Sequence, residues 1–155
     1  MQKRWLFFIT VFTIWVLDQG TKLLIKQYIP PYTKVIKIMS CLNLVHIRNT
    51  GIAFGLWAEA NSGKQIFFIV FNLVVIGIIL YYFWHTRPSF LNNLGCGLVL
   101  GGALGNLTDR LLYGNVVDFI DCHWQHYHWP AFNVADSAVT IGMFLLALKM
   151  LKEKN

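Results

Sequence analysis

Four apolar stretches, each long enough to cross a bilayer, constrain what this chain can fold into more than any other feature. A hydrocarbon core about 30 Å thick is spanned by roughly 20 helical residues rising about 1.5 Å each. Residues 5–26, 65–85, 90–113 and 132–149 meet that length, and the second is the most apolar, with Asn72 its only strongly polar interior residue. Charged residues make up only 13% of the chain, about half the share usual in soluble domains. Backbone polar groups in lipid have no water to bond, so apolar runs of this length cross as helices. The expected fold is an α-helical polytopic membrane protein of four transmembrane helices, and 155 residues leave room for a single domain. Lys3 and Arg4 before the apolar run to Leu17 imitate a secretory signal peptide. Asp18-Gln19-Gly20 follows with no small-residue cleavage site, so the segment reads as a retained first helix.

The connections carry their own signals. Pro30-Pro31 stops the first helix. Val35, Ile36, Ile38, Leu42, Leu44, Val45 and Ile47, with a turn at Asn49-Thr50-Gly51, predict a β-rich segment over about 33–58, resting on the membrane surface outside the cytoplasm. Residues 114–131 hold Trp124, Tyr127 and Trp129, rings that favour the headgroup level, and predict an interfacial loop. The net charge of +6 comes from scattered Lys and Arg that form no basic run, which argues against a nucleic-acid partner. Three cysteines at unrelated spacings, with no CxxC, indicate neither a disulfide framework nor a zinc knuckle. Lys3, Arg4, Arg87, Lys149, Lys152 and Lys154 would lie in short segments on one side, whereas Lys26, Lys34, Lys37, Arg48 and Lys64 spread over a longer loop on the other. That density favours both termini in the cytoplasm.

The acids are the informative residues. Glu59 and Glu153 lie outside the expected helices, and the other five are aspartates: Asp18, Asp109, Asp118, Asp121 and Asp136. Helix rise places Asp18 and Asp136 each roughly 20 Å above the cytoplasmic edge, and Asp109 roughly 33 Å beyond Arg87. Asp118 follows just after the third helix, so these carboxyls converge near the outer surface. Charges at membrane depth are paired or functional as a rule. Asp18 and Lys22, spaced i,i+4, can neutralise each other, and Asp109 has Arg110 beside it, although adjacent residues do not face one another on a helix. Asp118 and Asp136 have no basic residue within a helical turn. Two such carboxyls at one depth suit an acid/base pair in which one keeps its proton. Gly97, Gly101 and Gly105 form a small-residue stripe that leads into Asn106, Asp109 and Arg110. Asn133, three residues before Asp136, is placed to orient its carboxyl on a shared helix face.

Two other readings start from the same residues. Asp121, Cys122, His123, His126 and His128 form a ligand-rich run compatible with a metal-dependent peptidase, but no HExxH is present and aromatic residues alternate with the histidines. An ion-coupled carrier could use Asp18, Asp109 and Asp136 as a relay, although the chain has no evident internal repeat.

Five motifs in order decide among these: DQGTK (18–22), RNTGIAFG (48–55), GGALGNLTDR (101–110), VVDF (116–119) and FNVAD (132–136). Together they resemble lipoprotein signal peptidase, also called signal peptidase II, over nearly the whole chain. The resemblance implies an aspartic endopeptidase of the bacterial inner membrane with a small extracytoplasmic β-cradle. Its reaction would be hydrolysis of the peptide bond before a diacylglyceryl-modified cysteine in prolipoproteins. It implies Asp118 and Asp136 as the catalytic dyad, with Asp18, Lys22, Asn49, Gly51, Asn106, Asp109, Arg110, Asn133 and Ala135 supporting the site or contacting substrate. No cofactor or metal is implied. Membrane lipids, prolipoprotein substrates and globomycin-type inhibitors are the implied partners, and the active site is implied on the extracytoplasmic side.

Overall fold

A computed structural model describes residues 4–33, 35–51 and 62–153. Lys3, Lys34, Lys154 and residues 52–58 of the expected β-rich segment lie outside the described residues. Among the described residues four helices are long and apolar enough to cross a membrane: α1 (Trp5–Tyr28), α2 (Ser62–His85), α3 (Phe90–Tyr113) and α4 (Val134–Glu153). Strands β1 (Ile36–Met39) and β2 (Leu42–Asn49) follow α1, and β3 (Val116–Trp124) and β4 (Tyr127–His128) follow α3. They form one antiparallel sheet in the order β1-β2-β3-β4.

The helix ends differ from the expected bounds for local reasons. Helix α1 continues to Tyr28 because Pro30, not Lys26, is the first residue that cannot extend it. Helix α3 starts where Ser89 accepts a hydrogen bond from the Asn92 N–H at 3.1 Å. It ends at Gly114, whose left-handed φ of 69° suits glycine and lets its N–H reach the Arg110 carbonyl. Helix α4 begins two residues later than expected, after Asn133, and runs past Lys149 to Glu153.

Segment 114–131 is not the loop the sequence predicted. Val116, Val117, Phe119 and Ile120 form a strand centred in the sheet, with β2 on one side and β4 on the other. The aromatic and histidine residues near its end obscured a β-branched, aromatic run that favours strand. Trp124, Tyr127 and Trp129 are largely exposed.

Helix α3 is the central span, with 72% of its most apolar window buried against 11% for α2. Its glycines explain the close packing. A Cβ at Gly97 or Gly101 would fall within 2.9 Å of Thr10 or Ile14 of α1, and one at Gly102 would strike the Ala135 carbonyl oxygen of α4. Phe7, Phe83, Val99, Leu100 and Leu146 fill the core at one end of the bundle, with Phe7 and Phe83 stacked at 3.7 Å. There Arg4 donates to the Phe83 and Trp84 carbonyls at 3.2 and 3.4 Å, satisfying acceptors left free at the end of α2. Lys149 reaches the Tyr82 hydroxyl at the same end, so the start of α1 and the end of α4 share it. At the other end, Ile25 of α1 and Ile29 just after it pack against Val117 and Phe119, fastening the sheet to the bundle. Phe8, Phe12, Phe67, Val74, Ile78 and Phe144 point outward, as side chains facing lipid do.

Candidate active site

Asp118 and Asp136 are brought together by strand pairing rather than by two helices. Phe132 is bridged to Ile120, exchanging hydrogen bonds of 2.8 and 3.1 Å. The chain leaving the sheet is therefore pinned two residues past Asp118 and enters α4 immediately. Asn133 is the residue before that helix rather than part of it. Its side-chain oxygen accepts the Asp136 N–H at 2.9 Å, while the Asp136 Oδ2 accepts the Asn133 N–H at 3.3 Å. This reciprocal pair is a capping box with aspartate as its acid. The Asn133 Nδ2 also donates to the Asp118 Oδ1 at 2.8 Å, so one asparagine joins both aspartates.

The aspartates also accept from two other elements. On β2, Ile47 lies opposite Asp118 and Asn49 opposite Val116, which makes Asn49 the diagonal neighbour of Asp118. Its Nδ2 donates to the Asp118 Oδ2 at 2.9 Å. The Gly51 N–H donates to the Asn49 Oδ1 at 3.0 Å and holds that side chain in place. From α3, the Asn106 Nδ2 donates to the Asp136 Oδ1 at 2.8 Å.

Behind the two aspartates lies a buried ion cluster. The Lys22 ammonium is 2.8 Å from the Asp18 Oδ2 and 3.0 Å from the Asp109 Oδ2, and all three side chains are no more than 1% exposed. The expected Asp18–Lys22 pair forms, but the partner of Asp109 is Lys22 and not its neighbour Arg110. The Lys22 Nζ also donates to the Asn106 Oδ1 at 3.0 Å. Each acid of the cluster accepts one further backbone N–H: Asp18 from Ala135 at 2.9 Å and Asp109 from Val117 at 3.2 Å. Ala135 and Val117 are the residues immediately before Asp136 and Asp118. Lys22 thus fixes the backbone entering both aspartates and, through Asn106, one carboxyl as well. Sequence reasoning assigned no role to Gln19, whose amide donates to Asp18, the Gly105 carbonyl and Asp109. Its place inside DQGTK was the available signal.

Each of the five motifs contributes a described side chain to this network, and every sequence-expected site residue lies at or around the paired aspartates. A sequence model of signal peptidase (SPase) II matches residues 10–152. The chain belongs to the signal peptidase II family. It is 47% identical to the lipoprotein signal peptidase of Thermodesulfovibrio yellowstonii over 94% of each chain. It is 42% identical to that of Geobacter sulfurreducens over 90% of this chain and 88% of the relative. It also superposes on a bacterial membrane enzyme solved in meso at 2.3 Å, with a TM-score of 0.84 and 32% identity, covering 96% of this chain and 89% of that one. A peptidase family on a four-helix membrane fold disfavours the carrier and metal-peptidase readings.

The two bridged aspartates differ in surroundings. Asp118 is 3% exposed. Burial is the largest influence and drives its carboxyl up to about 7, helped by the nearby Asp136 charge and opposed by the Asn49 and Asn133 amides and by Lys22. Asp136 is half-buried and lines a cavity of about 480 Å³ between α2, α3 and α4, as well as one of about 370 Å³ beside Trp129 and Phe132. Arg110 reaches the larger cavity with its guanidinium 5.2 Å from the Phe68 ring, and its Nη1 donates to the Asn106 carbonyl at 3.3 Å. At the far end of the sheet, Asp121 accepts from Asn43 at 2.9 Å and pairs with His128 at 2.8 Å. These hydrogen bonds hold its carboxyl below the usual range against the opposing effect of burial.

Proposed function

We infer that the chain is a prolipoprotein signal peptidase, which hydrolyses the peptide bond before a diacylglyceryl-modified cysteine with Asp118 and Asp136 as the catalytic dyad. The observation that carries the mechanism is the bridge of Asn133 across two carboxyls of unequal burial. Asp136 opens to the cavity and acts as general base on a water. Asp118, holding its proton to about pH 7, donates to the scissile carbonyl and stabilises the developing oxyanion. As the tetrahedral intermediate collapses, Asp136 passes the water's proton to the leaving amine, and Asp118 recovers its own. The fixed amides of Asn49, Asn106 and Asn133 hold both carboxyls without reorganisation. Asp18, Lys22, Asp109 and Ala135 set the backbone beneath them, Gly51 holds Asn49, and Arg110 faces the substrate space. A substrate anchored in the bilayer by two acyl chains would diffuse laterally to a cavity between helices, and a globomycin-type inhibitor would occupy that same space.

Purified protein in detergent should release the signal peptide from a diacylglyceryl-modified precursor and leave the unmodified precursor intact, read by gel shift or mass spectrometry. Equal cleavage of both would remove the lipid from the specificity.

The protonation assignment predicts a pH profile. Below about 7 Asp118 keeps the proton it would give to the scissile carbonyl, and above that value it loses it. The ratio kcat/KM should therefore fall as pH rises past about 7, by about tenfold per unit. A profile flat to roughly pH 9 would reject Asp118 as the acid.

We also infer both termini in the cytoplasm of a bacterial inner membrane, with the sheet and dyad outside. The basic residues Arg4, Arg87, Lys149 and Lys152 in short segments support this orientation. Single cysteines at positions 48 and 87 should react with an impermeant maleimide from opposite sides of the membrane.

A further inference from the structure

The wall of the 480 Å³ cavity is apolar except for Asn72, Asn106, Arg110, Thr140 and the dyad member Asp136. Four of these five are already engaged. Asn106 donates to Asp136 and accepts from Lys22, Arg110 donates to the Asn106 carbonyl, and the Thr140 hydroxyl donates to the Asp136 carbonyl at 2.9 Å. Asn72 is the exception: its Nδ2 is buried and has no hydrogen-bond partner among the described residues. A polar group of this kind in the middle of an otherwise apolar span opposes both folding and insertion unless a partner arrives.

Helix register shows where that partner would sit. The Gln65 amide of α2 donates to the Gly114 carbonyl at 2.9 Å, and Phe68 faces Arg110 of α3. Continuing the two antiparallel helices one further turn brings Asn72 level with Asn106, the residue bonded to Asp136. Asn72 therefore occupies the opposite wall at the depth of the dyad. The terminal torsion of an amide side chain is broad, so its nitrogen turns into the cavity once an acceptor is there.

We propose that Asn72 is a substrate-positioning residue whose side-chain amide donates to a carbonyl oxygen of the precursor beside the scissile bond. The inference rests on the peptidase reading above and adds to it a second point of attachment across the cavity. A precursor lying extended in this apolar space has carbonyls that find no water, and two of its chemical groups supply them: the peptide backbone and the glyceryl esters of the modified cysteine. Either satisfies the amide, and each in turn is satisfied by it.

The test uses purified full-length enzyme in detergent, with Asn72→Leu, Asn72→Gln and two synthetic precursors, one with ester-linked and one with ether-linked chains. Asn72→Leu should raise KM roughly five- to tenfold, with kcat within about twofold of the parent. Its melting temperature should be unchanged or higher, because an apolar group of similar shape replaces an unpaired buried amide. Asn72→Gln, which retains the donor, should recover part of the KM. A KM increase for both precursors identifies a peptide carbonyl as the acceptor, and an increase confined to the ester-linked precursor identifies the glyceryl ester. Parental KM for Asn72→Leu on both precursors overturns the proposal, as does a lower melting temperature with kcat falling in step, the mark of a purely structural residue. A parental enzyme that fails to cleave the lipidated precursor overturns the peptidase reading, and this inference with it.

Discussion

Asp118→Asn and Asp136→Asn are each expected to abolish cleavage of a lipidated precursor, lowering kcat by at least about a thousandfold, and the double variant should be no slower than either single one. The reason is that neither carboxyl acts alone. An amide at 136 cannot take a proton from water, and an amide at 118 cannot give one to the carbonyl or take it back. Glutamate should fail as well, since an added methylene moves the carboxyl out of the fixed amides of Asn49, Asn106 and Asn133. The variants should nevertheless fold. Asn at 136 keeps an oxygen for the capping box. At 118 the sign of the pH linkage favours the variant. The unfolded carboxyl ionises near about 3.9 and the folded one near 7, so the parent loses stability as pH rises between those values. Asp118→Asn escapes that loss and should melt no earlier than the parent at alkaline pH. Single-turnover cleavage together with thermal unfolding in detergent checks both halves. A folded Asp136→Asn protein that cleaves at near-parental rate would remove the dyad.

The membrane fold was legible because bilayer thickness translates directly into run length, and all four spans lie within a few residues of those runs. The Asp18–Lys22 pair was legible for a similar reason, since i,i+4 is a local geometric rule. What could not be read was whatever depends on contacts between distant segments. Asp109 stands next to Arg110 in sequence, yet its ion partner lies across the bundle on α1. Asp118 was expected after a helix in an interfacial stretch. The pairing that makes β3 the centre of a sheet comes from β2, about seventy residues earlier, and from the Ile120–Phe132 bridge. Asn133 was expected on a face of α4. Only its position just before the helix lets it cap Asp136 and reach Asp118 in one step. The motifs nevertheless converge in space, because each contributes a side chain to one hydrogen-bonded network.

That network makes Lys22 the residue whose loss should be felt most widely. Lys22→Met is expected to destabilise the protein by about 3–5 kcal/mol and to abolish activity, because it leaves Asp18 and Asp109 buried together without their cation. Neither acid can relax toward water, as both are 0% exposed. Nor can either turn away without releasing the backbone N–H of Ala135 or Val117, and so shifting Asp136 or Asp118. Asp18 also packs directly against Gly105, where even a methyl group would strike its carboxylate. Stability and catalysis separate in a compensated variant. Lys22→Met combined with Asp18→Asn and Asp109→Asn removes the uncompensated charge and keeps an oxygen acceptor for each backbone N–H. Replacing a whole buried ion cluster with neutral groups of similar volume is often close to neutral in stability. The triple variant should therefore recover most of the lost melting temperature. It should recover little activity, because Asn106 has lost the ammonium that holds its oxygen, and with it the fixed amide on Asp136. If the triple variant melts as early as Lys22→Met alone, packing of the lysine stem rather than charge holds this layer together. If the single variant melts with the parent and still cleaves, the cluster does not position the dyad.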